Sequence, residues 1–338
     1  MIGQTLPAVN SNPAPTPTLE RRFSIAPMMD CSDRHARYFL RLFSRRMLLY
    51  TEMITAAAIL HGDREHLLGF NHEEHPLAVQ LGGSDPQQLY RAAQICAEFH
   101  YDEINLNCGC PSDRVQSGMF GACLMQDPAL VADCVSALRS ASDLPVTVKH
   151  RTGIDQQDDY DRFAGFAAAQ LDAGAQALIV HARNAWLQGL NPKQNREIPP
   201  LNYDWVYRLK RDFADCEIII NGGINSLDAS LHHLQQVDGV MLGREPYKNP
   251  FMLHNVDPVI FGEAQLEVPD RIAMLQRMYP YIEQQLVQGL PLTRVVRHLV
   301  GLFYGEPNGR RWRRYLSENA YRKNAGIETL QQAVRLLD

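Results

Sequence analysis

Glu217-Ile-Ile-Ile-Asn-Gly-Gly-Ile224 and Val237-Asp-Gly-Val-Met-Leu-Gly-Arg244 decide the fold. Each is an apolar run, rich in β-branched residues, that stops on glycine. Glycine lets backbone N–H groups approach an anion closely and a following helix adds a favourable dipole, so two such strand ends in succession read as a phosphate cradle. In a (β/α)8 barrel the phosphate site lies after the seventh and eighth strands. Glycine punctuates most ordinary strand-to-helix turns as well. The adjacency of the two turns, with Arg244 after the second, favours the cradle.

Upstream, short apolar runs alternate with amphipathic helical patterns, which implies a parallel sheet with crossover helices. Eight strands are expected, at Phe23–Ala26, Leu48–Thr51, Leu77–Leu81, Glu103–Asn107, Val146–Lys149, Ala177–His181, Glu217–Asn221 and Val240–Leu242. Eight units suit a closed TIM barrel better than an open doubly wound sheet, and no G-x-G-x-x-G dinucleotide fingerprint is present. Beyond a connector from Pro246 to Pro269, helices are expected over Arg271–Leu286, Leu292–Tyr304 and Trp312–Lys323, with a short one to finish. The expected organisation is a disordered tail over 1–20, a barrel over 21–262 and a small C-terminal helical domain over 263–338.

The chain has 338 residues, 45% hydrophobic and 21% charged, with a formal net charge of -5. These values are ordinary for a globular protein. Seven cysteines without paired short spacing fit a reducing compartment, so the cytosol is expected, and no apolar run is long enough to span a bilayer. No metal site is expected: Cys108 and Cys110 lack a second cysteine pair or a matching histidine cluster.

Asn105-Leu-Asn-Cys-Gly-Cys-Pro111 ends a strand on a Gly-Cys-Pro turn, which puts Cys110 at the barrel's C-terminal end. Single cysteines usually behave as small buried hydrophobes; the neighbours favour chemistry here. The strand ends together collect Pro27, Met28 and Met29, Glu52, Gln80, Asn105 with Asn107, Lys149 with Arg151, His181 with Arg183, Asn221-Gly222-Gly223 and Gly243-Arg244. Barrel enzymes place their chemistry at that face. Polar groups for an isoalloxazine edge, a fixed cation and a backbone phosphate cradle are the parts that hold a flavin mononucleotide.

Two charge patterns stand apart. Along the helix Asp33–Arg46, the arginines Arg34, Arg37, Arg41 and Arg45 recur away from an apolar stripe of Ala36, Phe39, Leu40 and Phe43, and such a run ordinarily marks a solvated face. From Arg294 to Lys323, eight basic residues stand against Glu306 and Glu318, a local charge of +6. Arginines beside Trp312, Tyr315 and Tyr321 fit a surface that meets phosphates and stacks on nucleotides; a salt-bridged helix packed on the barrel has the same composition. A long polar loop from Asn184 to Asn202 carries Trp186, Lys193 and Arg196; loops of this length tend to carry function.

Ala26-Pro-Met-Met-Asp30, Tyr50-Thr-Glu-Met53, Val79-Gln-Leu-Gly82, Asn105-Leu-Asn-Cys-Gly-Cys-Pro-Ser-Asp-Arg-Val115, Val148-Lys-His-Arg-Thr-Gly153, Val180-His-Ala-Arg183, Asn221-Gly-Gly-Ile224 and Gly243-Arg244 together resemble the tRNA-dihydrouridine synthases. The resemblance covers the barrel and continues into the helical region. The run Asp113–Met125 and the loop Asn191-Pro-Lys-Gln-Asn-Arg-Glu-Ile-Pro-Pro200 resemble the bacterial A-type subfamily, which implies reduction of uridines 20 and 20a in the tRNA D-loop. The resemblance further implies FMN held by Pro27, Met28, Met29, Gln80, Lys149, His181, Asn221, Gly222, Gly223, Gly243 and Arg244, with NADPH as electron source. It implies hydride transfer from FMN N5 to uracil C6 while Cys110 protonates C5, and Asn107 at the uracil edge. A thiol with a reference pKa of roughly 8.5 is largely protonated at neutral pH yet able to give up the proton. Arg151, Arg183, Lys193, Arg196, Arg310, Arg313 and Arg314 are the expected substrate contacts, and a monomer is expected. A dihydroorotate-dehydrogenase-like barrel would share the flavin site and lack the arginine-rich C-terminal region.

Overall fold

The structure, a computed structural model, describes residues 19–112, 118, 120–156, 159–264 and 270–337. The expected tail lies almost wholly outside these residues, as does part of the run Asp113–Met125. Eight strands form: β1 (Phe23–Ile25), β2 (Leu49–Thr55), β3 (Leu77–Gly82), β4 (Glu103–Cys108), β5 (Val146–Arg151), β6 (Ala177–His181), β7 (Glu217–Asn221) and β8 (Gly239–Leu242). All neighbours are parallel, in the order β1-β8-β7-β6-β5-β4-β3-β2. The circle closes where Ser24 bridges Leu48: Ile25 N donates to Leu48 O and Leu48 N to Phe23 O, both at 3.0 Å. The expected TIM barrel is therefore the observed fold.

Alternation along each strand sorts side chains between two cores. Outward residues such as Val79, Leu106, Val148, Val180 and Ile220 join the helices in one large buried cluster. Inward residues make a smaller cluster of Tyr50, Ala78, Ala177, Ile179, Ile219 and Met241. The rest of the barrel interior is polar, with Gln80, Glu103, Asn105, Asn107 and Thr147 all buried. β2 runs past its expected end because the register shifts between Tyr50 and Met53; a bulge allows a strand to re-aim and continue.

The solvated face expected for the helix Arg34–Arg41 is not what forms. Arg37 is 5% exposed and its Nε donates to Glu74 at 2.6 Å. Arg41, 8% exposed, donates to the carbonyls of Ser44, Met47, Glu74 and Pro76. A guanidinium has five donors in a planar fork, so it can enter a core where several carbonyls converge. Periodicity cannot separate that case from a solvated stripe.

The C-terminal helices span Arg271–Arg277, Tyr279–Val287, Thr293–Leu299, Gly309–Asn319 and Ile327–Val334. Their apolar residues belong to the same buried cluster as the barrel's outer shell. Tyr281 stacks on Tyr38 with ring centroids 4.0 Å apart and its hydroxyl meets His35 Nδ1 at 2.7 Å. Trp312 is fully buried against Phe303, so it serves the core and is unavailable as a stacking platform; Tyr321, 71% exposed, is available. Among the described residues no helix is long and apolar enough to cross a membrane. All seven cysteines are free thiols.

Candidate active site

Register places the strand-end residues in rings at the C-terminal mouth. Gln80 stands level with Asn105, and Asn107 with Lys149. Arg151, His181 and Asn221 share the ring above. Seven side chains from five strands thus converge without a long connecting segment.

Asn107 shapes the turn that carries Cys110. Its Oδ1 accepts from the amides of Gly109 and Cys110, each at 3.1 Å, and its Nδ2 donates to Gln80 Oε1 at 2.8 Å. An Asx side chain commonly bonds the backbone two or three residues on, which turns the chain sharply. Cys110 is half-buried, with its Sγ 3.6 Å from Ser112 Oγ. Arg151 locks the other side of the turn: Nε donates to Gly109 O at 3.0 Å, and Nη1 to Asn184 O at 3.2 Å and Asn195 O at 2.9 Å. At 4% exposure, Arg151 is a strut between the Cys110 turn and the Asn184–Asn202 loop, with little surface to offer a substrate. Burial pushes its pKa down to about 10, with Cys110 pulling the other way.

Lys149 reaches Asn221 Oδ1 at 3.1 Å, and Asn221 Nδ2 donates to Met241 O at 2.7 Å. Burial, reinforced by Arg151, pushes Lys149 down to about 7. His181 is held neutral: burial first, then the charges of Arg151 and Lys149, take it well below the usual histidine range, and its Nδ1 is buried without a partner.

The cradle expected after β7 has the backbone it needs. Gly222 and Gly223 have φ of +110° and +74°, a region L side chains rarely enter. A Cβ at Gly222 would lie 3.2 Å from the His181 ring, and one at Gly223 would collide at 2.7 Å with Leu201 and the Tyr203 hydroxyl. Tyr203 also donates to Gly222 O at 2.7 Å, so the loop is shaped from outside by a residue the sequence did not single out. Gly243 faces Met28, whose sulfur is 3.4 Å from where a Cβ would sit. Pro27 and Met28 are partly buried, and Met29 is 57% exposed.

Cations ring the mouth. Arg244 is exposed and pairs with Glu197 at 2.7 Å. Arg196 lies near Arg244 and Cys110, which both act on it; burial and Arg244 lower its pKa. Arg183 is half-buried, donates to Pro199 O, and leaves its Nε without a partner. Lys193 is exposed on the same loop, which Asn195, fully buried, pins through Trp186 and Leu190. Arg310, Arg313 and Arg314 belong elsewhere, on the helix Gly309–Asn319, which packs on Ile327–Val334. Arg310 and Arg314 are exposed, Arg313 is half-buried, and Arg314 pairs with Glu318.

Sequence reasoning missed the clamp between the two regions. Asp33 caps the helix Arg34–Arg41 and receives Arg297 Nη2 and His298 Nε2, each at 3.0 Å. His298 Nδ1 meets Tyr247 OH at 3.3 Å, so one buried histidine joins the segments that follow β1 and β8. The +6 segment therefore spends Arg297 on internal contact. The start of the helix at Asp33 was legible; the distant partners of its carboxylate were not.

Known proteins place this arrangement. A tRNA-dihydrouridine(20/20a) synthase from Xanthomonas campestris pv. campestris is 56% identical over 317 residues, covering 94% of each chain. One from Shewanella oneidensis is 57% identical over 315 residues, covering 93% of each, and one from Escherichia coli strain K12 is 55% identical over 317 residues, covering 94% of this chain and 91% of that one. Among solved structures, morphinone reductase superposes with a TM-score of 0.51 at 12% identity, covering 75% of this chain and 88% of that one, a likeness of fold. The model of the dihydrouridine synthase family matches residues 24–337, and with an active-site mouth and helical region both inside that span, the chain belongs to the dihydrouridine synthase family.

Proposed function

We propose that the protein reduces uridines 20 and 20a of tRNA to dihydrouridine, with FMN as bound cofactor and NADPH as reductant. The observation that carries the reading is the convergence of Cys110, Lys149, His181 and the Gly222–Gly223 cradle at one barrel mouth. Relatives more than half identical across nearly the whole chain, named for that reaction, support it.

The residues fit a flavin mononucleotide. Gly222 and Gly223, both at positive φ, turn the backbone sharply at the end of β7 with no side chain of their own over it, and the buried Nδ1 of His181 lacks any protein partner. Gly222, Gly223, Gly243 and Arg244 would hold the phosphate; Pro27, Met28, Met29, Gln80, Lys149 and Asn221 would surround the ring. When bound and reduced by NADPH, FMN supplies the hydride for C6 of the uracil. The Cys110 Sγ–H would donate its proton to C5. Asn107 and Arg151 hold the Cys110 turn, so their contribution is orientation of the thiol.

The target base must leave a folded RNA, which costs a few kcal/mol that contacts elsewhere must offset. Arg183, Lys193, Arg196 and the arginines of Gly309–Asn319 supply cations for the phosphates, and Tyr321 an exposed ring. The test is dihydrouridine mapping in tRNA from cells lacking the protein. Loss at positions 20 and 20a, restored by the wild-type gene, is expected; unchanged modification at both would overturn the reading.

A further inference from the structure

Beneath the Cys110 turn, a chain of hydrogen bonds runs down the barrel interior to its base. Asn107 Nδ2 donates to Gln80 Oε1 at 2.8 Å, Gln80 Nε2 to Asn105 Oδ1 at 2.7 Å, Asn105 Nδ2 to Thr147 Oγ1 at 2.9 Å, and the Thr147 hydroxyl to Glu103 Oε1 at 2.6 Å. Every member is buried, and Gln80, Asn105, Thr147 and Glu103 are at most 1% exposed.

Each of the three amides in this chain has one accepting and one donating end, so flipping one forces its neighbour to flip. Two ends fix the direction. At the top, the amides of Gly109 and Cys110 can only donate, and they meet Asn107 Oδ1. At the base, Glu103 accepts from three donors: Thr147, the Tyr50 hydroxyl at 2.8 Å and Arg21 Nε at 2.5 Å. Burial, and Glu103 beside it, hold the Tyr50 phenol far above its usual range, so it stays a donor. Burial alone would lower Arg21, but Glu103 and Glu217 outweigh it and raise its pKa, so it stays a cation. With two donors already committed to it, Glu103 obliges Thr147 to donate downward and to accept from Asn105 above.

The geometry points to Glu103 as a positioning residue for the reduction of uridine: by accepting at the foot of this chain, it sets the orientation of Asn105, Gln80 and Asn107, and so holds the Cys110 turn closed from the far end of the barrel. The inference rests on Cys110 acting at the mouth, as proposed above. Glu103→Gln turns one accepting oxygen into a donor. Either that donor faces Arg21, or it faces Thr147 and drives the amide flips upward until Asn107 presents an N–H to the amides of Gly109 and Cys110. A low-dielectric interior makes either mismatch costly.

The test uses the full chain with FMN bound and a variant that spares the ion pair. Thr147→Val keeps shape and removes the hydroxyl link; Thr147→Ser keeps the link. In Thr147→Val and Glu103→Gln, the side-chain amide NMR signals of Asn105, Gln80 and Asn107 are expected to shift or double. In Thr147→Val, kcat on tRNA per bound flavin is expected to fall at least about tenfold, the scale of a mispositioned reacting group, with KM held. Thr147→Ser should restore both signals and rate. Unmoved amide signals in Thr147→Val overturn the inference, and so does moved signals with an undiminished kcat. If Glu103→Gln fails to fold, the Thr147 pair alone decides. The amide signals report orientation whatever Cys110 does, so a wrong assignment of the proton donor appears separately, as a Cys110→Ala variant that still turns over.

Discussion

Lys149 on β5 and Asn221 on β7 meet across the intervening strand β6, Nζ to Oδ1 at 3.1 Å. Asn221 is anchored in turn to Met241 O. The lysine is thereby held at the mouth, and its hydrogen-bond partner among the described residues is a neutral amide. That pairing leaves the ammonium poorly compensated, which is why burial and Arg151 depress it to about 7 from an ordinary 10.5.

A pH dependence follows with a definite sign. Between about 7 and 10.5 the unfolded chain binds the Lys149 proton better than the cofactor-free fold, so this group adds stability as pH rises through that window. The flavin ring beside Lys149 would offer acceptor atoms, and hydrogen bonding to the ammonium favours the charged form. FMN binding should therefore take up a proton near neutrality, and affinity should be highest below about pH 7 and weaken above it. Titration of apoprotein with FMN by fluorescence quenching, from about pH 6 to about pH 9, measures this. Lys149→Met should bind more weakly and lose the dependence; a wild-type affinity flat with pH would remove Lys149 from the flavin site.

Cys110→Ala separates the half-reactions. Oxidation of NADPH by the flavin needs no general acid, whereas saturation of uracil does. Turnover on tRNA should drop by roughly 10²-fold or more, with the NADPH half-reaction unchanged in stopped-flow absorbance. Dihydrouridine formation at the wild-type rate would exclude Cys110 as the proton donor.

Trp312 and Tyr321 should respond oppositely, because one is fully buried and the other 71% exposed. Trp312→Ala opens a cavity and is expected to cost roughly 3–5 kcal/mol of stability, seen as a lower Tm. Tyr321→Ala should leave Tm in place and weaken tRNA binding if the ring stacks on a base, an effect of roughly 1–3 kcal/mol. Equal behaviour of the two variants in both assays would contradict the placement of these rings.

Charge reversal of Arg310 and Arg313 tests the helical face. Neither makes an ion pair among the described residues, in contrast to Arg314 with Glu318. Loss of phosphate contacts should lower tRNA affinity and make its salt dependence shallower, with flavin content normal. The check is binding across a salt series; unchanged affinity and slope would assign this face to solvent alone.

Much of this protein was legible in one dimension. β-branched runs ending on glycine located β7 and β8 and their turns, because strand propensity and positive φ are local properties of the backbone. The Gly-Cys-Pro turn located Cys110 for the same reason, and eight alternating units implied the barrel. What a polar side chain does with its charge or its two-ended amide was decided only in three dimensions. Arg37 and Arg41 read as a surface stripe and fold into the core, because carbonyls and Glu74, more than thirty residues away in the chain, converge there. Arg151 read as a substrate contact and braces the Cys110 turn. Trp312 read as a stacking surface and fills the core. The orientations of Asn105, Gln80 and Asn107 depend on Glu103 at the opposite end of the barrel. Burial and hydrogen-bond direction are properties of partners distant in sequence, and only the folded chain brings those partners together.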